Sequence, residues 1–338
     1  MKAKKKKILF IYDSMYTFVQ KDINLLERRY ELEKFNFPFY INNLESYILL
    51  FKLIQKTIET DIIICRFVGN HAFIATILSK IFNKKILIIV GGWDVANIPK
   101  LNYGRFNSNW YIKYFTKFAL KNANRILVVD KGLKNDIINN ANLKADNVEC
   151  VYNGYDTSFW KPDETIDRHL ILTVATAKEV NRVKLKGLHI FVKTASYFPQ
   201  EKFVVVGVSG KAEKYLNEIS SSNVLLLKSV SQNKLLTLYQ KSKVYCQLSL
   251  REGLPNSLCE AMSCGCIPVG TYVQGIKTAI GNAGYFTEYE NESLTVKAIQ
   301  KSLQDSQDMG DKARKRIIEK FPIKKREQKF FEIIESVN

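Results

Sequence analysis

Short apolar segments alternate with longer amphipathic ones along the first half of the chain. The short segments are rich in β-branched residues, and their near-continuous hydrophobicity is typical of strands buried on both faces of a parallel sheet. The pattern predicts strands at 8–12, 61–65, 86–90, 125–129 and 148–152, and helices at 19–29, 44–57, 72–82, 110–121 and 132–139. This alternation is the signature of consecutive β–α–β units.

The same alternation begins again after a turn-rich segment at 153–162, which interrupts both periodicities. Strands are predicted at 170–175, 203–207, 224–227, 244–248 and 267–270, and helices at 188–196, 211–219, 232–240, 256–264, 294–303, 311–320 and 323–336. We therefore expect two α/β domains, residues 1–155 and 156–322, facing one another across a cleft. Ligands of such folds bind at the carboxyl ends of the parallel strands.

Composition agrees with two soluble domains, because 46% of the 338 residues are hydrophobic and 25% are charged. The formal net charge of +18 implies an anionic partner, which is nucleic acid, anionic lipid or a phosphorylated small molecule. Lysines occur along the whole chain, so a general solubility role explains this charge equally well.

Cysteine usage and the amino-terminal segment bear on the compartment. The six cysteines lie mostly in apolar runs and are interpreted as buried free thiols of a reduced protein, and Cys264-Gly-Cys266 lacks zinc-site spacing. The basic start at 1–7 precedes an apolar run too short for a secretory signal. We expect a cytoplasmic protein, and leave open a peripheral position on the inner face of the cell membrane.

The segment at 251–269 carries the most informative chemistry. Gly253 permits a tight turn after a predicted strand, and Pro255 suits the first turn of the next helix. Asn256, Ser257 and Leu258 would then present backbone N–H groups at a helix amino terminus. Such a terminus binds phosphate through these amides and through the helix dipole.

Two glutamates flank this turn. Asn256 and Glu260 lie four residues apart and therefore on one helix face, while Glu252 precedes the turn. A diphosphate would repel a neighbouring carboxylate, so hydroxyl groups are the better partners. This favours the ribose for Glu260 and the transferred sugar for Glu252. The alternative is two solvated acids near a helix start.

The long context of this pair, EGLPNSLCEAMSCGCIPV at 252–269, resembles the donor-site signature of retaining glycosyltransferases of the GT-B fold, family 4 (group 1). Three other segments are similar to the same family: VYNGYDT at 151–157, KGL at 186–188 and GGWDV at 91–95. The resemblance therefore spans nearly the whole chain.

The resemblance implies a fold and a set of donor-site residues. The fold is GT-B, with two Rossmann-like parallel-sheet domains and a final helix, 323–338, that returns to the first domain. By resemblance Glu252 contacts the donor sugar, Glu260 contacts the ribose, and Lys186 neutralises the diphosphate. The rest of the implied donor site comprises Arg182, Ser229, Val230, Gly253, Leu254, Pro255, Asn256, Ser257 and Leu258.

Two of these assignments have alternatives. Lys178 and Lys184 compete with Arg182 for the phosphate role, and all of these residues with Lys186 could simply form a solvated basic loop. In the first domain, many family members carry a histidine in the loop where this chain has Gly91-Gly-Trp-Asp94. Asp94 either orients a substrate hydroxyl, as a catalytic residue, or caps the following segment.

The predicted function is that of a hexosyltransferase acting in polysaccharide or glycolipid biosynthesis. Its co-substrate would be a nucleotide-diphosphate sugar, and its acceptor a glycan, a lipid-linked molecule or a small molecule. Lys186 and the helix amides would stabilise the leaving diphosphate, so neither a cofactor nor a metal is required. The chain contains no Asp-x-Asp motif.

The sequence also bears on other functions. A dehydrogenase needs G-x-G-x-x-G after an early strand, which is missing here, and the segment 207–211 is too short for a P-loop. An epimerase of the same fold stays open. So does a non-catalytic protein that binds a membrane surface or nucleic acid, although we expect no nucleic-acid partner.

The segment 110–121 carries the membrane alternative. It is aromatic, and Lys113, Lys117 and Lys121 share one helix face. It would either rest on anionic lipid or pack on its own sheet with the lysines outward.

Overall fold

The computed structural model describes residues 5–39 and 44–337. The chain separates into two compact units: the first comprises residues 1–152 and 327–338, and the second comprises residues 153–326. This division lies three residues before the predicted one at 155/156, and most of the predicted final helix belongs to the first unit. Residues 1–4 of the basic start lie outside the described residues.

The first unit is built on a six-stranded sheet in the order β2-β1-β3-β4-β5-β6, in which all neighbours are parallel. The strands are β1 Lys7–Tyr12, β2 Glu31–Asn36, β3 Ile62–Arg66, β4 Lys85–Val90, β5 Arg125–Val128 and β6 Val148–Cys150. The helices are α1 Thr17–Glu27, α2 Leu44–Ile58, α3 Asn70–Ile81, α4 Trp110–Asn122 and α5 Gly132–Ala141, with 3₁₀ turns at Trp93–Val95, Pro99–Leu101 and Arg105–Asn107.

Two apolar layers cover this sheet. Helices α2, α3, α4 and α5 contribute to one core cluster with the strands. Helix α1 and the end of α14, Ile323–Ser336, contribute to the cluster on the other face. Polar contacts also hold α14, because Lys6 Nζ lies 2.7 Å and Tyr30 Oη 3.0 Å from the Glu335 carboxylate.

The second unit has a parallel sheet in the order β9-β8-β7-β10-β11-β12. Its strands are β7 Leu170–Ala177, β8 Lys202–Val208, β9 Val224–Leu227, β10 Ser242–Gln247, β11 Ile267–Thr271 and β12 Tyr285–Thr287. Its helices are α6 Val180–Leu185, α7 Leu188–Thr194, α8 Gly210–Ile219, α9 Gln232–Gln240, α10 Asn256–Ser263, α11 Gln274–Ile280, α12 Glu292–Gln304 and α13 Gln307–Lys320, with a 3₁₀ turn at Ala195–Tyr197.

These two helix-flanked parallel sheets confirm the predicted pair of Rossmann-like domains. In the second sheet the chain reverses its direction of winding between β7 and β10, which are neighbours. Ligands of doubly wound folds bind in the crevice outside the carboxyl ends of the strands at this switch point. We therefore expect a ligand-binding site at the loops that follow β7 and β10.

Four elements were not predicted. β2 has the polar sequence ELEKFN and lies at the edge of its sheet, so it lacks the apolar run of a central strand. α6, α11 and β12 span only six, seven and three residues, too few for a periodic pattern to register. Across the described ranges, every helix is too short or too polar to span a bilayer.

Candidate donor site at the switch point of the second sheet

The loops after β7 and β10 are joined backbone to backbone. The Leu250 N–H donates to the Leu185 carbonyl at 2.9 Å. Gly187 has a φ of +66°, and a Cβ atom there would lie 2.0 Å from the Leu248 carbonyl oxygen. Only glycine fits such a position. The loop that carries Lys186 is thereby held against the loop that carries Glu252.

Lys186 and Glu252 form an ion pair between these loops, from Nζ to Oε1. Their side chains are only 15% and 13% exposed, so water screens the pair weakly. Ser249 Oγ donates to the same Oε1 at 2.7 Å, and Gln247 Nε2 donates to it at 3.1 Å. Three donors from two loops therefore hold the Glu252 carboxylate in one orientation.

Gln247 connects this carboxylate to the start of α10. Its Oε1 accepts from Tyr245 Oη at 3.2 Å and from Ser257 Oγ at 3.4 Å. Burial raises the pKa of Tyr245, and the charges of Glu252 and Glu260 add to this effect. The phenol therefore stays protonated as a hydrogen-bond donor, and both carboxylates lie within electrostatic range of it.

Helix α10 begins at Asn256, directly after the extended residue Pro255. Proline occupies the N-cap here rather than the first helical position, and no side chain caps the helix. The Asn256 side-chain oxygen accepts from Asn153 Nδ2 at 3.1 Å and from Tyr155 Oη at 3.0 Å. The first turn, which includes Ser257 and the buried Leu258, is thus fixed from the side while its amides point along the helix axis.

Glu260 lies one turn after Asn256 on α10 and is half-buried. Burial raises the pKa of Tyr155, and the Cys259 thiol and the Glu260 charge contribute to the shift. The Tyr155 hydroxyl, which contacts Asn256, is thus also near Glu260. This agrees with the shared helix face expected from the spacing.

Gly253 and Leu254 lie against helix α11. A Cβ atom on Gly275 would fall 1.1 Å from the Gly253 carbonyl oxygen, so the two backbones are in direct contact. Leu254 is buried beneath the turn. The position of the Glu252 loop therefore depends on a glycine in α11.

We expect Gly275→Ala to displace this loop. Overpacking of this kind costs about 1–3 kcal/mol of stability, and here the strain falls on the residues beside Glu252. The variant should unfold at a lower temperature and bind nucleoside diphosphate more weakly than the parent. Thermal unfolding and calorimetric titration measure both effects. Gln274→Ala, at an exposed neighbour in α11, is the control, and equal behaviour of the two variants would contradict the packing argument.

The remaining predicted donor residues lie on the same edge of the sheet. Arg182 is half-buried in α6, and its carbonyl accepts the Lys186 N–H at 3.0 Å. Lys178 and Lys184, its competitors, are exposed. Ser229 is exposed and Val230 half-buried in the loop after β9.

The cysteines are free thiols, and all but Cys150 are buried. Burial raises the pKa of Cys266 to about 12 and that of Cys150 to about 11. Within residues 5–39 and 44–337, no group of three or more His, Cys, Asp or Glu side chains is arranged to hold a metal ion.

Two family models match the chain and meet at residue 159. The model described as Glycosyltransferase Family 4 matches residues 16–159, and the model described as Glycosyl transferases group 1 matches residues 159–321. The chain belongs to the family 4, group 1 glycosyltransferases. The group 1 model contains the candidate donor-site residues from Arg182 to Glu260.

Curated relatives of this glycosyltransferase are distant. The GPI3 subunit of phosphatidylinositol N-acetylglucosaminyltransferase from Saccharomyces cerevisiae is 26% identical over 214 residues, covering 60% of this chain and 47% of that protein. The MMP alpha-(1->4)-mannosyltransferase of Mycolicibacterium hassiacum is 25% identical over 228 residues, covering 63% and 54%. The matched region thus spans about half the length of these relatives.

A solved structure shares the fold along nearly the entire chain. Anabaena HepE in complex with UDP superposes with a TM-score of 0.79 at 17% identity, covering 98% of this chain and 100% of that one. At this level of identity the similarity establishes the GT-B fold of the glycosyltransferase.

Asp94 lies in the first unit of this glycosyltransferase and is 1% exposed. Its carboxylate accepts the Gly92 N–H at 2.7 Å, and the N–H groups of Gly91 and Val68 at 3.2 Å. These are the contacts of a carboxylate that organises its own loop. All three donors precede Asp94 in the chain, so the carboxylate does not cap the following segment. Its role in orienting a substrate hydroxyl stays a prediction.

Four supporting residues have a role that the sequence does not assign, although two of them lie in the family-like segment 151–157. Gln247 and Ser249 orient Glu252, while Asn153 and Tyr155 hold Asn256. A signal for the first pair does exist, because both are polar and stand where an apolar strand ends at the carboxyl edge of the sheet. The second pair lies about a hundred residues from its partner, and no local pattern connects them.

Proposed function

We propose that this chain transfers a sugar from a nucleotide-diphosphate sugar to a glycan, lipid-linked or small-molecule acceptor, with retention of anomeric configuration and without a divalent metal. The observation that carries the proposal is the Lys186–Glu252 pair at the switch point, beside the amino terminus of α10. A cation, a carboxylate and free helix amides there suit a sugar linked to a diphosphate. The UDP complex of HepE supports a nucleotide donor.

The diphosphate is the leaving group, and negative charge develops on it as the bond to the anomeric carbon breaks. Lys186 and the amides of Asn256, Ser257 and Leu258 would face this charge, with Arg182 as a further cation. Preorganised donors aimed at developing charge are usually the largest catalytic contribution. The diphosphate would share Lys186 with Glu252, so the ammonium group is positioned before the donor binds.

Glu252 would accept hydrogen bonds from hydroxyl groups of the donor sugar. Its Oε1 already receives the three protein donors. We therefore assign the sugar hydroxyl to Oε2. Glu260 would accept from the ribose, one turn along the helix. The base would lie near the backbone of Ser229 and Val230.

Retention requires that the acceptor oxygen attack the anomeric carbon from the same face from which the diphosphate leaves. The bond from the anomeric carbon to the diphosphate breaks, the bond to the acceptor oxygen forms, and the departing phosphate takes the acceptor proton. No protein base is needed in this scheme. Asp94, whose carboxylate is occupied by backbone amides, is not required for it.

We expect a donor screen to identify one nucleotide sugar that raises the unfolding temperature and releases nucleoside diphosphate when an acceptor is present. The rate should be unchanged by EDTA, because Lys186 and the helix amides stabilise the negative charge of the diphosphate that a metal would otherwise neutralise. Nucleoside diphosphate release with and without chelator measures this. A strict metal requirement would contradict the mechanism, and conversion of the nucleotide sugar without an acceptor would indicate an epimerase.

A further inference from the structure

Helix α2 is apolar on its outer side as well as its inner side. Leu53 and Thr57 are buried against the sheet. On the opposite side Tyr47, Ile48 and Phe51 are 49–62% exposed, and Leu44 is 77% exposed. Their spacing of three and four residues places them on one stripe. A helix of a soluble domain normally presents polar residues there, so exposed apolar residues in such a stripe indicate an interaction surface.

Neighbouring helices of the first unit also carry exposed aromatic side chains. α2, α3 and α4 cover the same face of the sheet and each leads into a parallel strand, so all three begin at the carboxyl edge. Near the start of α4, Trp110 is 79% and Tyr114 56% exposed. Phe73 of α3 stacks on Phe115 of α4 with ring centroids 4.1 Å apart. We call the outer side of these three helices the aromatic face.

The charge of the aromatic face has one dominant sign. Glu45 is the only acidic residue in the three helices. Besides Lys56, which pairs with Glu33 of β2, the three helices carry five lysines: Lys52, Lys80, Lys113, Lys117 and Lys121. Two copies of the chain meeting through this face would therefore bring like charges together. An anionic surface with an apolar interior is complementary to it.

We propose that the aromatic face docks on an anionic phospholipid bilayer. Ile48 and Phe51 enter the boundary between headgroups and acyl chains, Tyr47, Trp110 and Tyr114 lie at the interface, and the lysines face lipid phosphates. Exposed aromatic and aliphatic side chains beside lysines are the composition of interfacial helices. The sequence pattern pointed to α4, whereas the exposed stripe makes α2 the inserting element. This inference goes beyond the proposed sugar transfer and does not depend on it.

Co-sedimentation with vesicles of phosphatidylcholine and phosphatidylglycerol at low salt tests the proposal. We expect Ile48→Asp to reduce binding by at least about tenfold, because the variant forfeits the burial of an isoleucine and places a carboxylate among lipid phosphates. Ile318→Asp is the matched control. Ile318 is an exposed isoleucine on α13 of the second unit and should bind like the parent.

Two further measurements make the test specific. Each Lys→Gln change at 113, 117 or 121 should weaken binding by about fivefold at low salt and by less at high salt. On vesicle addition, the emission of Trp110 should shift to shorter wavelength. This shift should be absent in Trp110→Phe. Glu252→Ala should bind vesicles like the parent, so failure of the transfer proposal and failure of this one are distinguishable.

Four results would overturn the proposal. The first is no binding of the parent chain to anionic vesicles at low salt. The second is equal binding by Ile48→Asp and Ile318→Asp. The third is a dimer, measured by analytical ultracentrifugation, that Ile48→Asp dissociates, since a second copy would then cover the face. A nucleic acid that binds the parent and is not displaced by vesicles would likewise assign the lysines to another partner.

Discussion

Glu252→Ala is expected to lower kcat by about 10²–10³-fold, the loss typical when one preorganised polar group is removed from an active site. The side chain would hold the donor sugar, and its loss also releases the Lys186 ammonium from its position. The fold should survive, because Glu252 lies in a loop between β10 and α10 and outside the apolar core. Nucleoside diphosphate release with the identified donor and acceptor measures the effect.

Glu179→Ala is the control for this variant, since Glu179 is an exposed acid of the same unit whose partner, Lys211, is also exposed. It should retain parental activity. Circular dichroism and thermal unfolding should show both variants folded. Parental rates in Glu252→Ala would reject the assigned role of this residue. An unfolded Glu252→Ala would call for Glu252→Gln, which keeps the shape and removes the charge.

Lys186→Ala is expected to weaken the binding of nucleoside diphosphate as well as the rate of transfer. A hydrogen bond to a charged group contributes about 1.5–3 kcal/mol, which corresponds to roughly 10–150-fold in the dissociation constant. The transfer rate should fall further, because charge on the diphosphate increases in the transition state. Calorimetric titration with the nucleoside diphosphate measures the first effect, and turnover at saturating donor measures the second.

Lys184→Ala is the matched control, because Lys184 is exposed two positions earlier. It should behave like the parent. The double variant Lys186→Ala/Glu252→Ala should be little worse than the more damaged single variant, since the two side chains act as one unit. Independent, additive losses would show that the ion pair has no part in catalysis. Unchanged diphosphate affinity in Lys186→Ala would remove this lysine from the donor site.

The long elements could be predicted from the periodicity alone. The strands that became β1, β3, β4 and β8 are apolar along their length because both of their faces are covered by helices. The periodicity does not predict the edge strand β2, because its sequence is polar, and it does not predict α6, because that helix is only six residues long. Periodicity predicts a helix or strand only when the element is long enough for its buried positions to recur as apolar residues in the sequence.

The sequence also singled out the residues of the candidate donor site through their local context. Glu252, Gly253, Pro255 and Glu260 stand in one continuous segment, so the turn, the helix start and the spacing of the two acids were visible without a structure. The role of Asp94 could not be chosen in this way. Its two interpretations differ only in what surrounds the carboxylate, and the Val68 amide that occupies part of it comes from another loop.

By itself, therefore, the sequence determined the fold class and the two-domain plan and predicted the donor-site segment, because each depends on residues that are near one another in the chain. Only the tertiary structure decided that Lys186 meets Glu252, that Gly275 supports the Glu252 loop, and that Ile48 and Phe51 of α2 are exposed. The physical reason is the strand order: a parallel sheet makes β7 and β10 neighbours although more than sixty residues separate their loops. Which side chains then meet, and which stay exposed, is a property of the packed sheet and its helices.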